Sequence, residues 1–118
     1  MIDGTLTFPY GWLLEQVLDG RKTASVLRPG ERNYGVDPCD AEVRVDGVYE
    51  ARGPDGDARC RIRVTRMQEL RWDEPVPEAL WRAEACADEA EFRRDHLEWF
   101  SHPSAEYRYR AFWFERVA

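Results

Sequence analysis

The tetrapeptide Gly53-Pro54-Asp55-Gly56 separates two extended runs, and no other stretch of this 118-residue chain restricts the possible folds as much. Proline and two glycines in four residues demand a turn, and the runs on either side are rich in β-formers. The first, Ala41 to Arg52, reads as a strand bulged at Asp46-Gly47. In the second, Ala58, Cys60, Ile62 and Val64 alternate with Arg59, Arg61, Arg63 and Thr65. That period of two gives one apolar face, which must be covered, and one face carrying three arginines. The arginines either meet phosphates or point into solvent. The last segment, Glu106 to Val117, alternates Tyr107, Tyr109, Ala111 and Trp113 with Arg108, Arg110, Phe112 and Phe114. Its apolar end is predicted to be buried on both faces.

Helical periodicity fills the rest. After an extended Leu6-Thr7-Phe8, Pro9 suits a helix start, and Trp12, Leu13, Leu14, Val17 and Leu18 recur at helical spacing until Asp19-Gly20. A helix over Tyr10 to Leu18 is expected, then a short strand over Thr23 to Leu27 and a polar loop from Arg28 to Cys39. Pro75 and Pro77 end the extended region. Glu78 to Ala87 is predicted to be a short helix, and Asp88 with Glu91 three residues on forms a capping-box-like start for another. On that helix Phe92, His96, Trp99 and Phe100 share an apolar stripe. The order predicts one α+β domain over residues 1–118, built on a mostly antiparallel, barrel-like sheet flanked by helices.

Hydrophobic residues make up 43% of the chain, with five each of Trp, Tyr and Phe, which is enough for one core and excludes disorder. No apolar run approaches the roughly 20 residues that span a bilayer, and the N-terminus lacks the layout of a signal peptide, so a cytoplasmic protein without membrane partners is expected. Cys39, Cys60 and Cys86 are odd in number and widely spaced, which suggests neither a disulfide framework nor a zinc site. They are read as reduced thiols, at least two of them packed. The net charge of -6 resides in one stretch, Gln68 to Glu98, where ten acids face four arginines. Such a surface disfavours tight non-specific binding to a long polyanion.

Among the 17 basic residues only Lys22 is a lysine. Arginine stays charged, so chemistry that needs a titratable amine has Lys22 as its one lysine. It lies in Gly20-Arg21-Lys22-Thr23-Ala24-Ser25, which follows a helix stop and supplies two hydroxyls. If the segment is a strand, Thr23 and Ser25 share a side and Lys22 takes the other, unless the turn at Gly20 rotates Lys22 inward. A hydroxyl becomes a nucleophile when a neighbouring base takes its proton, and a desolvated lysine can do so. A plain exposed turn is the alternative. No phosphate-binding glycine loop, HExxH, GxSxG or metal-type carboxylate cluster is present, and no cofactor or metal is expected.

The hexapeptide, preceded by Val17-Leu18-Asp19, resembles the helix followed by G-[RK]-K-T-x-[TS] of ASCH domains, which have the PUA-like fold. Asp40 resembles the aspartate that opens their barrel strands, although Cys39 stands where they have glycine. Ala83-Glu84-Ala85 is similar to the Ala-Glu of their first C-terminal helix, Phe92 to Phe100 to their x-[FW]-x-x-x-H-x-x-[FW]-F segment, and Arg110 to Val117 to their closing strand. The resemblance implies a PUA-like β-barrel with Lys22, Ser25 and Glu84 in one cleft. Members that hydrolyse N4-acetylcytidine use a lysine, a threonine and a glutamate in these places, the hydroxyl as proposed nucleophile. Ser25 here keeps the hydroxyl without the methyl.

Two functions are therefore expected as alternatives. One is an amidohydrolase for an N-acylated nucleoside or similar small amide, with Lys22, Ser25 and Glu84 catalytic, Arg21, Thr23 and His96 binding substrate, and backbone N–H groups after Gly20 holding the oxyanion. The other is an RNA- or nucleotide-binding module using Arg21, Lys22 and the arginine face, or a metal-independent ribonuclease using Lys22, Ser25 and His96.

Overall fold

The computed structural model describes residues 2–28 and 42–117. The loop expected over Arg28 to Cys39 lies outside the described residues apart from Arg28, as do Cys39 and Asp40. Strands β1 (Gly4–Thr7), β2 (Ala24–Leu27), β3 (Val48–Arg52), β4 (Ala58–Arg71) and β5 (Arg108–Val117) form one sheet in the order β1-β3-β4-β5-β2. β1 runs parallel to β3, and the other pairs are antiparallel. Helices α1 (Gly11–Leu18), α2 (Glu78–Ala83) and α3 (Glu89–His96) flank it. None of the described helices is long and apolar enough to cross a membrane.

The expected hairpin is β3 and β4. Gly56 donates to the Gly53 carbonyl (3.0 Å) at φ +85°, where a side chain would be strained, so the turn closes on its glycine. Its first strand is shorter than expected, starting at Val48, because the chain turns at Val45-Asp46, with Asp46 at φ 69°; Ala41, its expected start, lies outside the described residues. Its second strand is longer, reaching Arg71, and the register with β5 slips between Val64 and Arg66. Thr65 is the extra residue of that bulge, which bends β4 and helps the sheet curl.

Two apolar clusters lie on the two faces of the sheet. Leu14 and Val17 of α1 pack with Tyr49, Ile62, Val64, Phe112 and Phe114. On the other face Leu80 of α2 and Phe92 of α3 pack with Val26, Leu70, Tyr109 and Ala111. β5 therefore contributes alternate residues to both clusters, which is why its sequence is apolar on both parities. Each such side chain contributes about 1.5–3 kcal/mol on burial. The edge strand β2 does likewise, with Leu27 in the first cluster and Ala24 and Val26 in the second. A cleft opens beside β2, between α1 and the α2–α3 pair.

Candidate active site

Three local devices place the side chains in this cleft. At the end of α1, Gly20 adopts φ +84° and the next backbone groups fold back, Lys22 N–H donating to the Gln16 carbonyl (3.0 Å). Thr23 N–H then donates to the Ala83 carbonyl (2.7 Å), and its own carbonyl accepts from Phe114 N–H (2.9 Å). These bonds dock the turn on the end of α2, and strict strand alternation starts only at Ala24. Lys22 is consequently rotated inward and is 2% exposed. Ser25, on β2 opposite Phe112, is buried as well.

Helix α2 was expected to reach Ala87 and ends at Ala83. Ala85 takes φ 62°, its N–H donating to the Arg82 carbonyl (3.0 Å) and that of Cys86 to the Trp81 carbonyl (2.9 Å). This is a Schellman motif with alanine where glycine is usual, and Glu84 is its C-cap. The turn carries the Glu84 carboxylate inward. On α3, the Asp88 side chain accepts from Glu91 N–H (2.8 Å), so the expected N-cap is formed. His96 sits two turns further on, stacked on Phe92 with ring centroids 4.1 Å apart.

Lys22 Nζ donates to Glu84 Oε1 in a buried ion pair. Glu84 Oε2 lies 3.0 Å from His96 Nε2, as an ion pair without the alignment of a hydrogen bond. His96 Nδ1 is 2.7 Å from the Phe92 carbonyl. Both imidazole nitrogens thus face oxygen acceptors, which favours the doubly protonated ring. Burial pushes the Glu84 carboxyl up, but Lys22 and then His96 outweigh it and hold it down to about 2. Burial likewise pushes His96 down, and the Glu84 carboxylate outweighs it, leaving His96 above its ordinary value of 6.5. Glu84 is an anchoring anion for two cations, and its low value makes it a poor proton donor at neutral pH.

Lys22, Ser25, Glu84 and His96 all line one cavity of about 500 Å³. Among the described residues Ser25 Oγ makes no hydrogen bond, and the Lys22 amine is turned to Glu84. Arg21 and Thr23 are not in the wall. Arg21 is exposed and pairs with Asp19 (2.8 Å), and Thr23 is exposed and acts through its backbone. The backbone N–H groups expected to hold an oxyanion are already used, Arg21 N–H by Asp19 Oδ1 (3.0 Å) and those of Lys22 and Thr23 as above. On the arginine face, Arg59, Arg61 and Arg63 are exposed as expected, with Arg63 paired to Glu115.

Other wall residues were not anticipated. Tyr10 and Trp12 line the cavity, although Trp12 counted among the apolar residues of the first helix. Two positions from Leu14 means about 200° around the helix, so Trp12 lies off the Leu14–Val17 stripe. The donor atoms of Cys86, Glu91 and Asp95 lie within 4.8 Å of one another in the same wall, a spacing that suits a metal ion. Burial first, then Glu84, Asp95 and Glu91, push the Cys86 thiol up to about 12, so a cation would have to displace a firmly held proton. Cys86 and Cys60 are free thiols.

This architecture is that of known folds. An ASCH domain from Lactobacillus crispatus superimposes with a TM-score of 0.72 over 95% of this chain and 79% of that chain, at 18% sequence identity. The Enterococcus faecalis protein EF3133, of family DUF984, matches with a TM-score of 0.65 over 97% and 80% at 16% identity. The hypothetical protein PH0355 matches with a TM-score of 0.63 over 96% and 97% at 10% identity. No family model matches the sequence, and no curated protein does. The chain has the ASCH-type, PUA-like α+β fold, a curled five-stranded half-barrel with helices on both sides.

Proposed function

We propose that the cavity hydrolyses the amide of an N-acylated nucleoside such as N4-acetylcytidine, or of a similar small amide. The observation that carries this reading is the buried Lys22–Glu84 ion pair opening on the same cavity as the Ser25 hydroxyl. Lys22 first releases its ammonium proton to solvent, and Ser25 Oγ then attacks the acyl carbon while its own proton passes to the Lys22 amine. Glu84 orients the amine, and His96 holds the second Glu84 oxygen. The ammonium formed on Lys22 then lies beside the oxyanion, a role the occupied backbone N–H groups cannot fill. Collapse breaks the carbon–nitrogen bond, and the Lys22 proton goes to the leaving nitrogen. Water next attacks the acyl-Ser25 ester, the carboxylic acid leaves and Ser25 regains its proton. Wild-type protein should release acetate from N4-acetylcytidine, and Ser25→Ala should lose at least about a hundredfold in kcat. Equal rates for the two would remove Ser25 as the nucleophile.

A second reading is an RNA- or nucleotide-binding module, or a metal-independent ribonuclease. It is favoured by the exposed Arg59 and Arg61 on β4. Binding of short RNA would then weaken as salt rises and survive Lys22→Arg.

A further inference from the structure

The part of the cavity wall that the hydrolysis leaves unused is of two kinds. One is aromatic. Tyr10 and Trp12 are 53% and 59% exposed, yet they stack on each other with centroids 5.9 Å apart and planes 11° from parallel. Both line the cavity, as does Trp99 from the turn after α3. Leu14 and Val17 already anchor α1, so Trp12 is not required for packing. Among the described residues, the other exposed large apolar side chains, Val45 and Leu97, lie outside this wall. The second kind is acidic. Glu91, Asp95 and Glu98 line the cavity with Glu84, against Lys22 and His96, which are both paired to Glu84. Among the described residues the lining is therefore negative even with His96 charged. The Arg28 guanidinium lies 4.6 Å over the Trp99 ring and offsets part of this field.

We infer that Trp12, stacked on Tyr10, is a platform for the planar ring of the substrate, and that Glu91, Asp95 and Glu98 select against its phosphorylated forms. The inference rests on the cavity being the amide-hydrolysing site and sets which acylated rings reach it: free nucleosides or bases, not nucleotides. Aromatic stacking is sequence-tolerant and accounts for about tenfold or more in affinity per ring. A 5′-phosphate placed at an acidic wall is repelled, most strongly at low salt.

The test is a binding titration with cytidine and cytidine 5′-monophosphate, neither of which carries an amide to cleave. Cytidine should bind wild type about tenfold more tightly than the monophosphate at low salt, with the gap narrowing as salt rises and in Glu91→Gln/Glu98→Gln. Trp12→Ala, a change at an exposed position, should weaken cytidine about tenfold. Equal or tighter binding of the monophosphate to wild type, or unchanged cytidine affinity in Trp12→Ala, overturns the inference. Failure of the hydrolysis reading would show separately, as these binding preferences without acetate release.

Discussion

Lys22 and Glu84, 62 positions apart, form an ion pair with only 2% and 5% of their side chains exposed. Desolvating two charges is expensive, and the fold offsets it by giving Glu84 a second partner in His96. The pair joins the turn after α1 to the end of α2, so the two sides of the cavity are tied at its floor.

Removing one partner should therefore cost far more than removing both. Glu84→Gln leaves the Lys22 charge buried without its carboxylate and should destabilise the fold by about 3–5 kcal/mol. Replacing the pair with Lys22→Met and Glu84→Leu should recover most of that loss. Urea denaturation midpoints at unchanged slope would measure both, and equal losses in the single and double variants would contradict the account.

Stability should be highest between pH 4.5 and 6.5, the ordinary values of the two groups. The Glu84 carboxyl is lowered, so its contribution is present above 4.5 and is lost as pH falls toward about 2. His96 is raised, so its contribution is complete below 6.5 and fades as pH rises through its folded value. Thermal melting across this range should give a plateau with two falling limbs, and His96→Gln should flatten the alkaline one.

Ala85 at φ 62° occupies a position that glycine fills at little cost. Ala85→Gly relieves the left-handed strain of about 1–2 kcal/mol, part of which the freer unfolded chain takes back. A net gain of about 0.5–1 kcal/mol is expected, read from the denaturation midpoint. A loss would mean that the Ala85 methyl packs productively in the cavity wall.

The parts of this fold that were legible in the sequence are those set by local pattern. The hairpin turn at Gly53–Gly56, the Asp88 cap and the doubled apolar parity of β5 all depend on neighbours within a few residues. The end of α2 was not legible, since Ala85 gives no sign that it will leave the helix. Nor was the parallel pairing of β1 with β3, which is a long-range contact between strands of four and five residues. Within the site, Lys22 stood out as the one lysine, but the choice between facing inward and outward depended on Thr23 docking against Ala83. Arg21 and Thr23 shared the motif and lie outside the cavity because of that same twist. Trp12 reads with the apolar residues of the first helix, and its place in the cavity wall depends on how α1 sits against the neighbouring helices.

The central claim is that the site needs an amine able to give up its proton, which an arginine cannot supply. Acetate release from N4-acetylcytidine by wild type and by Lys22→Arg, with both checked for a native melting transition, tests it most directly. The account predicts hydrolysis by wild type and a loss of at least about a hundredfold in the arginine variant, the scale of a positioned general base. An equally active Lys22→Arg protein would contradict it.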